Sequence, residues 1–180
     1  ITKKVRKENK IKADTGNVIV TTGSMEGFML ASICGICSGE QLIVPNPGYL
    51  GYVPCAELVD VVPVSLELKE ENKFEPDPDD IERLISKKTA ALVINTPANP
   101  TGNVISKKTL EEIADIAVEH DLYIFSDEAY ERIVYDNAKH VSIGSFNGMK
   151  DYVVSLFSLS KSYAMCGYRL GYCVGPDDLI

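Results

Sequence analysis

Short apolar segments rich in β-branched residues alternate along the chain with longer segments of helical periodicity. Seven segments of the first kind are predicted strands: NVIVTTG, EQLIVPNPGY, VDVVPVSLEL, TAALVINTP, LYIFSDEAY, DYVVSLFSLSK and RLGYCVGP. Three segments of the second kind are predicted helices: SMEGFMLASICGIC, DPDDIERLISKK and SKKTLEEIADIAVEHD. The runs ALVIN and YIFS are apolar without alternation, which is typical of strands covered on both faces. The pattern predicts an α/β domain with three layers, α/β/α, around a mostly parallel sheet of about seven strands.

The composition fits one domain and argues against two classes of partner. A chain of 180 residues is long enough to bury a substantial core. Its 26 acidic and 18 basic residues give a net charge of −8, which attracts neither nucleic acid nor an anionic membrane. No segment approaches the roughly 18 apolar residues of a membrane helix, and the amino terminus lacks the apolar core of a signal peptide. We therefore expect a cytoplasmic protein with no nucleic-acid or membrane partner.

Two further features are expected to be structural. The basic stretch ITKKVRKENKIKA is predicted to be the solvated end of a helix. Cys34 and Cys37 form a CxxC pair, but redox-active pairs lie at helix amino termini, where the dipole lowers the thiol pKa. This pair comes late in the helical segment EGFMLASICGIC, so we expect it to pack in the core. With no second CxxC and only two histidines, no metal site is predicted.

Polar motifs follow several predicted strands at the points where the strands end, which is where ligands bind in such sheets. The turn TTGSMEG leads into a helix, so free backbone amides near Ser24 and Met25 could hold a phosphate. It is neither GxGxxG nor a Walker A loop, which argues against a dinucleotide or nucleoside triphosphate. Tyr49 follows another strand and would place an aromatic ring over the same crevice. Asn99 lies in the stiff turn NTPANPTG.

The next two strands end in groups that carry charge. Asp127 directly follows LYIF, and a buried carboxylate is costly unless a cation or hydrogen-bond donors pair with it. Tyr130 follows three residues later. Lys161 stands in SLSKSYAMCGYRLGY, flanked by serines and followed by Arg169. One ligand matches all of these groups: pyridoxal 5′-phosphate. Its aldehyde can form a Schiff base with the lysine, and its protonated ring nitrogen can pair with the carboxylate. Its phosphate can bind the arginine, the serine and the helix amides.

The segments NTPANPTG, SDEAY and SLSKSYAMCGYRLGY resemble, in order and content, the signatures of the fold-type I pyridoxal-phosphate aminotransferases. That family is the aspartate aminotransferase superfamily, class I/II, and the resemblance covers nearly the whole chain. It implies the fold of the cofactor-binding large domain, with the strand RLGYCVG running antiparallel to the others. Together with the stiffness of the turn, it also predicts a cis peptide bond between Asn99 and Pro100.

The resemblance implies a role for each candidate residue. Lys161 is expected to be the Schiff-base lysine and proton shuttle, and Asp127 to pair with the pyridinium. Tyr130 and Asn99 are expected to contact the 3-hydroxyl oxygen, and Tyr49 to stack on the ring. The phosphate is expected to contact four residues: Ser24, Met25, Ser158 and Arg169.

The implied reaction is transfer of an amino group from an amino acid to a 2-oxo acid. Tyr49 stands where the aspartate-specific branch usually carries tryptophan, which favours the broad aspartate/aromatic/alanine type. A lyase or decarboxylase using the same cofactor remains an alternative. So does a domain that binds the cofactor without turnover.

The resemblance also indicates what lies outside this sequence. Family members are homodimers with an amino-terminal arm and a carboxy-terminal small domain, which carries the arginine for the substrate carboxylate. We therefore predict that residues 1–180 are the large domain alone. Such a fragment is expected to bind pyridoxal phosphate more weakly than a complete enzyme and to be inactive or very weakly active.

Overall fold

A computed structural model describes all residues from 1 to 180. One sheet contains seven strands: β1 (Val18–Thr21), β2 (Gln41–Asn46), β3 (Val62–Glu67), β4 (Thr89–Asn95), β5 (Tyr123–Asp127), β6 (Val153–Ser158) and β7 (Gly171–Val174). Their order across the sheet is β1-β7-β6-β5-β4-β2-β3. Strands β2 to β6 pair in parallel, whereas β7 is antiparallel to both β1 and β6. The predicted number of strands and the antiparallel last strand are both confirmed.

Helices connect most of the strands. The α-helices are α1 (Thr2–Lys4), α2 (Ser24–Gly35), α3 (Tyr52–Leu58), α4 (Pro78–Leu84), α5 (Lys107–Glu119) and α6 (Leu159–Ser162). A π-helical turn and four 3₁₀ turns complete them: Val5–Asn9, Glu70–Asn72, Ile143–Ser145, Met149–Asp151 and Cys166–Tyr168. Helix α5 begins where the Ser106 hydroxyl accepts a hydrogen bond from the Thr109 amide, as expected of a serine at this position. The short helix α3 was not predicted from the sequence.

The helices cover both faces of the sheet, which confirms the three-layer architecture. Helices α2 and α3 pack on one face, where Phe28 lies edge-on to Phe125 of β5 with ring centres 6.0 Å apart. Helices α4 and α5 pack on the opposite face through fully buried side chains such as Ile81 and Ile113. Burying an aliphatic side chain of this size contributes about 1.5–3 kcal/mol. This packing makes the central strands a rigid support for the loops at their ends.

The prediction that Cys34 and Cys37 pack in the core is wrong. Both residues are exposed, although Ile36 between them is buried. Helix α2 turns Phe28 and Ala31 towards the sheet, so the thiol of Cys34 faces away from it, and Cys37 follows the end of the helix. All five cysteines are free thiols.

The prediction of a solvated helix end at the amino terminus is only partly right. Val5 is fully buried and Asn9 is 6% exposed, and the helical turn ends at Lys10 in the left-handed conformation. Lys4 lies with its ammonium 4.3 Å from the centre of the Phe157 ring. The segment is basic, but it packs against β6 and polar partners instead of extending into solvent. No helix in the structure has the length and apolar character needed to span a membrane.

Candidate active site

The sheet brings the ends of its strands together at one edge. Asn95 at the end of β4 lies beside Asp127 at the end of β5, and Ser158 at the end of β6 lies beside Gly171 of β7. A cavity of about 250 Å³ opens at this edge. Every candidate residue from the sequence lines this cavity: Ser24, Met25, Tyr49, Asn99, Asp127, Tyr130, Ser158, Lys161 and Arg169.

Asp127 is a buried carboxylate in the wall of the cavity. The Tyr52 hydroxyl donates a hydrogen bond to its Oδ2 over 2.7 Å, and the Ala129 amide donates to its Oδ1 over 3.0 Å. Burial raises the pKa of the Asp127 carboxyl above its ordinary value, and these two hydrogen bonds oppose that rise. A cation entering the cavity would lower the same pKa, because opposite charges favour each other's ionised forms. Asp127 is therefore suited to bind a cationic group of a ligand.

Tyr52 is a partner of Asp127 that the sequence analysis missed. It is only 1% exposed, and burial, followed by the nearby Asp127, raises the pKa of its phenol well above the ordinary value. The phenol therefore stays protonated and remains a donor to Asp127. Its ring lies edge-on to the cavity residue Tyr49, with ring centres 5.6 Å apart. The signal in the sequence was a second tyrosine three residues after Tyr49, on a helix that was not predicted.

The loop after β4 holds a second polar group against the cavity. The Asn99 side-chain amide donates to the Tyr130 hydroxyl over 3.3 Å. Asn95, also missed, accepts from the Asn99 backbone amide over 2.6 Å and donates to the Asp127 carbonyl over 3.0 Å. The peptide bond between Asn99 and Pro100 is cis, as predicted, and the bonds preceding Pro47 and Pro97 are cis as well. Buried Asn95 thus links the loops that carry Asn99 and Asp127.

Lys161 lies in the short helix α6 that follows β6. Its ammonium nitrogen is 5.7 Å from the centre of the Tyr130 ring, and it forms no ion pair. The Ser158 hydroxyl accepts from the Ser160 amide over 3.2 Å and so caps this helix. The amine is therefore held at the cavity with no carboxylate partner in the chain.

An anion-binding arrangement forms where α2 begins. Ser24 and Met25 stand in the first turn, preceded by Gly23 at φ +80°. Arg169 reaches the same place, and a Cβ added to Gly23 would lie only 2.8 Å from its Nη2 atom. Free amides at a helix start together with a guanidinium suit a phosphate or carboxylate. The cavity therefore combines a carboxylate for a cation, an anion site and an amine.

The chain is similar to known proteins over its full length. The family described as aminotransferase class I and II matches residues 1–180. An aspartate aminotransferase of Pyrococcus abyssi is 41% identical over 181 residues, covering 100% of this chain and 46% of that protein. Aromatic-amino-acid aminotransferase 2 of Thermococcus litoralis is 41% identical over 178 residues, covering 98% and 46%.

The fold of the chain is also similar to that of a solved structure. The crystal structure of an aromatic aminotransferase from Pyrococcus horikoshii superposes with a TM-score of 0.97 at 39% identity, covering 99% of this chain and 48% of that one. The chain spans about half the length of the curated relatives it matches. The match over the full length of the sequence shows that the chain belongs to the class I and II aminotransferase family.

Proposed function

We propose that this chain binds pyridoxal 5′-phosphate and forms the cofactor-binding part of an enzyme that transfers an amino group between an amino acid and a 2-oxo acid. The observation that carries the proposal is the buried Asp127 carboxylate, held by Tyr52 in the same cavity as Lys161 and Arg169. A buried carboxylate without a cationic partner in the chain is costly, and a protonated ring nitrogen would supply that partner.

The cavity residues fit the cofactor group by group. Lys161 would hold it covalently, Asp127 would face its ring nitrogen, and Tyr49 would cover its ring. Tyr130 and Asn99, already bonded to each other, would meet its hydroxyl oxygen. The phosphate would lie at the start of α2 among four residues: Ser24, Met25, Ser158 and Arg169.

The bound cofactor supplies an electron sink for the negative charge that develops on the substrate carbon when its proton leaves. The chain's own residues support this chemistry in three ways. Asp127, whose carboxylate accepts hydrogen bonds from the Tyr52 hydroxyl and the Ala129 amide, would hold a positive charge beside it. Lys161, free of ion pairs, offers an amine that can take up and return a proton at the substrate. The Asn99 amide holds the Tyr130 hydroxyl in a fixed orientation.

The substrate is proposed to be of the broad aspartate/aromatic/alanine type. Two observations support this: Tyr49 lines the cavity, and the similar proteins include an aspartate and an aromatic-amino-acid aminotransferase. A lyase or decarboxylase with the same cofactor is the alternative. A cytoplasmic location, a homodimeric complete enzyme and residues 1–180 as its large domain stay predictions from the resemblance.

The test is to incubate the chain with pyridoxal phosphate and each of several amino acids, and to measure the oxo acid formed. We expect cofactor binding that is weaker than in a complete enzyme and little or no oxo-acid formation, and we expect Lys161→Ala to abolish the covalent attachment of the cofactor. Lys108→Ala is the matched control, because Lys108 lies on the surface of α5 with its side chain 86% exposed. Release of carbon dioxide in place of an oxo acid would favour a decarboxylase and contradict the proposal.

A further inference from the structure

A buried polar cluster lies next to the loop that carries Tyr130. Its members come from the amino-terminal segment, from the loop after β5 and from the residues just before the 3₁₀ turn Ile143–Ser145. They are Lys4, Asn9, Glu128, Glu131, His140 and Ser142. None of these residues lines the cavity. The cluster would therefore not contact the proposed cofactor directly.

Asn9 is the hub of the buried polar cluster. Its side-chain amide donates to Glu131 Oε2 over 2.7 Å and to Ser142 Oγ over 2.9 Å, with Glu128 Oε2 at 3.4 Å. Its side-chain oxygen accepts from the Lys4 ammonium over 2.8 Å. An asparagine side chain has two N–H donors and one carbonyl acceptor, and all of them are used here. Asn9 thus joins the amino-terminal segment to both ends of the loop.

The two carboxylates of the cluster make this connection strong. The side chains of Glu128 and Glu131 are 0% and 9% exposed, and buried carboxylates are stable only when charged or hydrogen-bonding partners surround them. Lys4 contacts Glu131, and the His140 Nε2 atom lies 2.8 Å from Glu128 Oε2. Loss of Asn9 would leave Glu131 Oε2 without a donor and would remove one contact to Glu128, which also accepts hydrogen bonds from Ser126 and Ser142.

The cluster also has a spacing that a metal ion could use, since ligand atoms of Glu128, Glu131 and His140 lie within 4.8 Å of one another. Two observations argue for a different role. The Lys4 ammonium already contacts Glu131, and the Asn9 amide directs N–H donors at both carboxylates. These groups supply the positive charge and the donors that a metal ion would otherwise provide.

Tyr130 lies between the two carboxylates in sequence, and the backbone transmits their position to it. The Glu131 amide donates to the Glu128 carbonyl over 3.0 Å, and the Ile133 amide donates to the Tyr130 carbonyl over 2.7 Å. The loop is therefore a tight turn held at residues 128 and 131. Displacing either carboxylate would displace the Tyr130 ring that points into the cavity.

We propose that Asn9 is a positioning residue for Tyr130, because it holds the two carboxylates that flank Tyr130 and so fixes the hydroxyl that meets the cofactor. The inference rests on the proposed cofactor site. It assigns the amino-terminal segment a role in cofactor binding without any contact to the cavity.

The test is a double-mutant cycle on the affinity for pyridoxal phosphate, measured by absorbance titration. We expect Asn9→Leu to weaken the affinity about tenfold, which corresponds to one hydrogen bond to a charged group. In the background of Tyr130→Phe, which has no hydroxyl to position, Asn9→Leu should have little further effect. Asn17→Leu is the matched control, since Asn17 is also buried but donates to the Gly175 carbonyl and to Asp177.

A second measurement covers variants that fold poorly. Hydrogen exchange of the cofactor-free protein should be faster at the Glu131 and Ile133 amides in Asn9→Leu but not in Asn17→Leu. If Asn9→Leu does not fold, Glu131→Gln weakens the same contacts and takes its place in the cycle. Equal losses of affinity in the wild-type and Tyr130→Phe backgrounds would overturn the inference. Failure of the unmodified chain to bind pyridoxal phosphate would instead defeat the proposed function.

Discussion

Replacing Tyr52 with phenylalanine removes one hydroxyl group and keeps the ring in place. That hydroxyl donates to Asp127 Oδ2 over 2.7 Å, and both side chains are buried. The hydrogen bond lowers the pKa of the Asp127 carboxyl, so its loss raises that pKa further and favours the protonated form. Because the proposed cofactor needs the anionic form, we expect Tyr52→Phe to weaken its binding.

The size of the effect follows from the burial of both partners. A hydrogen bond to a charged group contributes about 1.5–3 kcal/mol. Each 1.4 kcal/mol corresponds to about tenfold in affinity, so the full loss would weaken binding roughly 10- to 100-fold. The lower end is expected, because Asp127 also loses this hydrogen bond in the cofactor-free protein. The stability of that form should fall by about 1–3 kcal/mol at neutral pH.

Both quantities are directly measurable, by titration with pyridoxal phosphate and by urea unfolding of the cofactor-free protein. Tyr123→Phe is the matched control, because Tyr123 packs against the same core cluster and its hydroxyl makes no hydrogen bond within the chain. If Tyr52→Phe and Tyr123→Phe bind pyridoxal phosphate equally well, Tyr52 does not support the charge on Asp127.

Three further predictions follow from the structure. Burial raises the pKa of Asp127, so the folded cofactor-free protein holds that proton more tightly, and its stability should fall as pH rises from about 3.9 through the raised pKa. Asp127→Asn should remove this fall in urea unfolding. Ile113→Ala should cost about 2–5 kcal/mol of unfolding free energy while leaving cofactor affinity unchanged, because Ile113 is fully buried on the far face. Gly23→Ala should reduce the preference for pyridoxal phosphate over pyridoxal in paired titrations, because the added Cβ displaces Arg169.

The sequence predicted the sheet well, because strands buried on both faces are continuous apolar runs that stand out from their surroundings. It also predicted which residues gather at the cavity, since the carboxyl ends of parallel strands share one edge. It was wrong about Cys34, because α2 is apolar nearly all round and its pattern does not show which face meets the sheet.

Two parts of the site depend on contacts that the local pattern does not contain. Tyr52 is connected to the site through its hydrogen bond to Asp127, which lies 75 residues further along the chain. Asn9 contacts Glu131 across 122 residues of sequence, and in the sequence it looked like one more polar residue of a basic helix end. Residues that act through distant partners carry no signal within their own segment.

The central claim is that Lys161 is the attachment point for pyridoxal phosphate, and one measurement tests it directly. The chain is mixed with one equivalent of the cofactor and reduced with borohydride, and the modified peptide is identified by mass spectrometry. We predict modification at Lys161, its loss in Lys161→Ala and its retention in Lys108→Ala. Modification spread over the exposed lysines, or undiminished in Lys161→Ala, would contradict the claim.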